Sequence, residues 1–130
     1  MNTKILMVAS SAILAVGGLA ALFMPHELAA ALEAPVPGSG ILIQLLGSAY
    51  IAFAITNWIA KDKPIGGIYS RPLSIGNFVH FMVGTLLLLD RVLDGGASIA
   101  LVAAGAVYAV LTIAFGRLAF FARALATAER

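Results

Sequence analysis

Four long apolar runs, separated by short polar interruptions, make up most of this chain. A helix needs about 20 mostly apolar residues to cross the hydrocarbon of a bilayer. Ile5–Met24 is such a run and holds no charge. Ile41–Ala60 is also uncharged but carries Gln44, Ser48, Tyr50, Thr56, Asn57 and Trp58. Leu73–Leu89 contains Asn77 and His80, and the last run, Ala97–Phe115, is rich in alanine. Between the runs, Pro25 opens an acidic connector with Glu27 and Glu33, Lys61–Pro72 is basic, and Asp94-Gly95-Gly96 forms a tight turn. The expected fold is all-α: a polytopic membrane four-helix bundle in one domain. Its helices fall at about 4–24, 41–60, 73–90 and 97–118, with a loop at 61–72 and a basic tail at 117–130.

Composition sharpens this pattern. Hydrophobic residues make up 62% of the 130 and charged residues 11%, against about 45–50% and about 25% in soluble domains. A water-soluble domain this small exposes too much surface for such a composition. The first run is roughly twice the 7–15 apolar residues of a signal peptide's core, so it is read as a retained span. The chain has no cysteine, which excludes disulfides, thiolate zinc sites and cysteine nucleophiles.

The loop charges then orient the spans. Lys4 lies at the N-terminus, Lys61, Lys63 and Arg71 in the second interruption, and Arg117, Arg123 and Arg130 in the tail. The first interruption has no Lys or Arg, and the third has only Arg91. Positive residues stay on the cytoplasmic side, so both termini and the 61–72 loop are expected in the cytoplasm of a cell with the chain in its inner membrane. Basic residues spread over separate loops are no footprint for nucleic acid, which needs them on one face.

Helices associate in lipid through small residues and interhelical hydrogen bonds. On the fourth helix Ala100, Ala104, Tyr108, Thr112 and Gly116 recur every four residues, a face for packing within the chain or against a second copy in a homo-oligomer. Gln44, Gly47, Tyr50, Ala54, Asn57 and Lys61 share one face of the second helix, and Asn77, His80 or Phe81, and Gly84 one face of the third. With a rise of about 1.5 Å per residue, Tyr50 and His80 both lie roughly 12–15 Å deep, near the middle of a core about 30 Å thick. The antiparallel pair is expected to set Tyr50 near His80, and Asn57 near Ser74 or Asn77. Such a seam is either helix–helix glue or a ligand or partner contact made by Tyr50, Asn57, Asn77 and His80.

The histidines do not suit a shared metal or haem. His26 belongs to the opposite surface from the one His80 is measured from, and no carboxylate falls at His80's depth. No cofactor is implied. The 61–72 loop combines Lys61, Lys63 and Arg71 with Gly66-Gly67, whose permissive backbone suits a plain turn or contact with a lipid headgroup or other anion. Trp58 and Tyr69 suit the headgroup belt. The tail places Arg117 and Arg123 near headgroups and Phe120 and Phe121 at the acyl boundary.

Four motifs carry a resemblance: QLLG at 44–47, NWIAK at 57–61, GGIYSRP at 66–72 and GNFVHF at 76–81. They resemble a family of small, uncharacterised bacterial inner-membrane proteins with four predicted helices, which brings membrane location and no assigned activity. Small multidrug transporters are similar in size and helix number, but they use a membrane-embedded glutamate in the first helix, and this first helix has none. No nucleophile–base pair, metal cluster or paired carboxylates lie within the spans, so no catalytic residue is assigned and the expectation leans away from an enzyme. Two functions remain open: an accessory or small-ligand- or lipid-binding subunit using the polar seam, and a minimal proton-coupled transporter acting as an oligomer.

Overall fold

A computed structural model describes residues 2–32, 37–62 and 71–128, with side chains to residue 121. Five helices follow in order: α1 Thr3–Phe23, α2 Pro25–Ala31, α3 Ser39–Ala60, α4 Arg71–Leu93 and α5 Ile99–Ala128. The described residues contain no strand. Four helical segments, α1, α3, α4 and Ile99–Phe121 of α5, are long and apolar enough to cross a membrane.

Local chemistry sets the ends. Asn2 caps α1 by accepting a bond from the Lys4 N–H at 3.0 Å. Pro25 has no N–H to give and its ring crowds the preceding turn, so α1 stops at Phe23. The same ring presets φ for a first helical turn, and Pro25 therefore opens a seven-residue helix, α2. Here the structure departs from the sequence pattern, which treats everything from Pro25 to Gly40 as connector. Gly38, at φ 82°, turns the chain into α3, and Gly95 and Gly96, at φ 87° and 76°, carry the turn after α4. Ser98 then caps α5 by accepting the Leu101 N–H at 3.3 Å.

The chain divides into two compact units, Met1–Lys61 with Ser98–Leu101, and Asp62–Ala97 with Val102–Arg130. In the first, α1 lies along α3 and α2 packs on both. Two glycines set the spacing of the long pair. A methyl group on Gly18 would stand 2.9 Å from the Gly47 carbonyl oxygen, and one on Gly47 would stand 2.8 Å from the Ala21 Cβ. Backbone touches backbone here, the close approach that membrane helices use in place of a hydrophobic driving force. Leu6, Met7, Leu14, Ala21 and Ala54 are buried.

In the second unit α4 meets α5 through aromatic rings. Phe81 and Phe115 are fully buried and stack at 5.7 Å between centroids. Phe78 sets its ring edge-on to Phe120 at 5.2 Å and lies against Gly116. Ile5, Val16, Phe23, Ile55 and Ile59 in the first unit, and Leu86, Leu87, Val110 and Ile113 in the second, are exposed. Apolar surface on that scale calls for lipid rather than water.

Candidate functional site: polar seams within the two units

Two hydroxyls and two amides fasten the first unit. Ser11 Oγ donates to the Ala54 carbonyl at 2.7 Å, across from α1 to α3. Asn57 Nδ2 donates to Ser10 Oγ at 3.0 Å, and Ser10 in turn donates to the Met7 carbonyl at 3.1 Å. Toward the other end of the pair, Gln44 Nε2 donates to the Leu22 carbonyl at 3.1 Å. That carbonyl lies in the last turn of α1, where backbone acceptors lack helical partners. Contacts of Ser10 with Asn57 and Leu22 with Gln44 show that α1 and α3 run antiparallel.

Asn57 and Ser10 are both fully buried. The face of α3 that carries Gln44, Gly47, Ala54 and Asn57 is the face turned to α1, and the Tyr50 ring lies on the same side, 3.4 Å from where a Gly17 side chain would begin. Ser10 and Ser11 were not singled out as site residues by sequence reasoning. Their one signal was two adjacent hydroxyls inside an otherwise apolar run, at the depth that mirrors Ala54 and Asn57.

The second unit has its own seam. His80 Nε2 and the Tyr108 hydroxyl stand 3.5 Å apart, the long limit of a hydrogen bond. Their rings, with that of Phe81, form a triangle of centroids at 5.7, 5.0 and 5.2 Å. Gly84 makes room for this, because the Tyr108 ring occupies the space its side chain would fill. One turn further along, the Thr85 and Thr112 hydroxyls stand 3.0 Å apart, each also within reach of the carbonyl four residues back, so one hydroxyl donates across to the other and the second donates to its own helix. Three positions of the small-residue ridge on α5, Tyr108, Thr112 and Gly116, thus contact α4. Tyr108 and Thr112 were visible in sequence as members of that ridge. Their polarity, rather than their spacing, was the signal for a hydrogen-bonded seam.

The remaining candidates divide by position. Asn77 is fully buried and donates to the Leu73 carbonyl at 3.0 Å, one turn back on its own helix. Tyr50 and His80 belong to different units, and within its own unit each ring has a neighbour: Gly17 for Tyr50, Tyr108 for His80. Lys61 ends α3 with its Nζ 4.0 Å above the centre of the Trp58 ring, and Arg71 opens α4 exposed. Lys63, Gly66 and Gly67 lie outside the described residues. Among the described residues, no three His, Asp or Glu side chains converge as metal ligands would, and every buried side-chain nitrogen and oxygen has a hydrogen-bond partner.

Set against protein-family models, curated proteins and solved structures, the chain has no match. Its class therefore comes from the fold alone: four membrane-length apolar helices mark a multi-pass membrane protein.

Proposed function

We propose that the chain is a bacterial inner-membrane protein of the small four-helix kind its motifs resemble, with both termini and the 61–72 loop in the cytoplasm. It acts as an accessory or small-ligand- or lipid-binding subunit, and its contact point is the His80–Tyr108 pair. The supporting observation is the half-buried imidazole beside a phenol, far from either end of α4. Ionisable side chains are costly at such depth and mark functional positions when they occur there. Asn57, Ser10 and Ser11 are fully or nearly fully buried between helices and serve as fastening.

The test is association in the membrane. His80→Ala and Tyr108→Phe should insert normally yet lose most of the lipid, small molecule or protein that the wild type carries through purification in mild detergent. Unchanged association by both variants counts against the assignment.

A second reading uses the same pair. Two proton-exchanging groups side by side suit a minimal proton-coupled transporter, which would work as an oligomer because four helices enclose little cavity. Flux into proteoliposomes that depends on pH and disappears in His80→Ala would favour transport over an accessory role.

A further inference from the structure

The surface of the α1–α3 pair carries a furrow of about 260 Å³, lined by Ser11 and Ala15 of α1 and by Ile51, Ala54, Ile55 and Trp58 of α3. Its floor is made of small side chains, and Ser11 turns its hydroxyl inward to the Ala54 carbonyl, so what faces outward is nearly all apolar. Its walls stay open, with Ile55 54% and Trp58 51% exposed. From Ile51 to Trp58 the furrow runs about 10 Å along the helix.

One end differs from the rest. Trp58 is the lining residue nearest the end of α3, and Lys61 is held over its ring at 4.0 Å while the Lys61 Nζ donates to the Trp58 carbonyl at 3.3 Å. The cation is thus held against a residue of the furrow's wall. Lys4, in the first turn of α1, lies at the same end because the two helices are antiparallel. Tryptophan and lysine at the last turn of a span are the residues of the headgroup level.

We propose that this furrow holds one acyl chain of an anionic phospholipid whose phosphate meets Lys61. The inference rests on the membrane assignment above. An acyl chain matches an apolar furrow that is narrow, open along its side and parallel to a spanning helix. An anionic headgroup matches a lysine whose position is set by the wall of the same furrow. A zwitterionic lipid fills the furrow equally well but gains little from the cation, so the site selects by headgroup charge.

Native mass spectrometry of the protein released from nanodiscs tests this, with phosphatidylglycerol and phosphatidylcholine of identical chains as the probes. Wild type should retain one phosphatidylglycerol in preference to phosphatidylcholine. Lys61→Gln should lower that retention about fivefold, the worth of one lysine at an anionic surface, and Lys61→Arg should restore it. Ala15→Leu, which fills the furrow without changing charge, should lower retention of both lipids. Equal retention of the two lipids by wild type, or no change in Lys61→Gln, overturns the site. These results are separable from failure of the membrane assignment, in which alkaline carbonate would release the protein from membranes before any lipid is compared.

Discussion

Asn57 shows what one amide does inside this molecule. It is fully buried, and its Nδ2 reaches Ser10 Oγ on the neighbouring helix at 3.0 Å. A hydrogen bond between helices in a membrane contributes about 0.6–2 kcal/mol, because the separated helices find other partners. Asn57→Ala and Ser10→Ala should each destabilise the α1–α3 pair by about 1 kcal/mol, with a coupling near 0.6 kcal/mol in a double-mutant cycle read by unfolding in mixed micelles. A coupling of zero would mean the contact does not fasten the helices. His80 poses a different question, since its bond to Tyr108 is long and its ring is half-buried. Gly84→Ala probes that pair without altering either polar group. The added methyl meets the Tyr108 ring and should displace it from His80. Loss of ligand or partner association comparable to that of His80→Ala, with insertion intact, is the expected outcome.

At the scale of the helix, the glycines divide into two kinds. Gly47 and Gly18 touch the facing backbone, whereas a methyl group on Gly17 would meet the Tyr50 ring at an ordinary 3.4 Å. Gly47→Ala should therefore lower stability by about 1–3 kcal/mol through overpacking. Gly17→Ala should be neutral or stabilising by up to about 1 kcal/mol, since alanine is the better helix former. Thermal unfolding of the two variants in one detergent compares them directly, and equal melting temperatures would contradict the described packing. The spans themselves were legible in the chain, because a run of some twenty uncharged apolar residues has few other fates. The inward side of α3 was legible too, as the spacing of Gln44, Gly47, Ala54 and Asn57 puts them on one stripe. What that stripe meets was not. The choice of Ser10 and Ser11 depends on which helix lies alongside α3 and at what height, and periodicity within α3 holds no such information. Pro25 was ambiguous for a related reason, since proline ends one helix and begins another with equal ease. Tyr108 was legible as a member of the α5 ridge, but its partner was not, because spacing along α5 does not say that the phenol is set into the notch of Gly84.

Over the described residues, small polar groups are buried between helices while many large apolar side chains are exposed. Buried groups include Ser10, Ser11, Asn57, Ser74 and Asn77, while Val16, Phe23, Leu87 and Ile113 are exposed. That is stable only where the surroundings are as apolar as those side chains. Charge supplies the complementary expectation: Lys and Arg concentrate in the N-terminus, the 61–72 loop and the tail, and retreat from the two other connections. The absence of native cysteine makes the topology directly measurable, because any introduced thiol is the only one present. Single cysteines at Asn2, Asp62, Glu129, Glu27 and Asp94 can be challenged in intact cells with a maleimide that does not cross membranes. Labelling from outside is expected at positions 27 and 94, the outer membrane having been made leaky, with protection at 2, 62 and 129 until the inner membrane is opened. Labelling of 62 together with 94 in intact cells, or of all five positions alike, would contradict a protein that crosses the inner membrane four times with both ends in the cytoplasm.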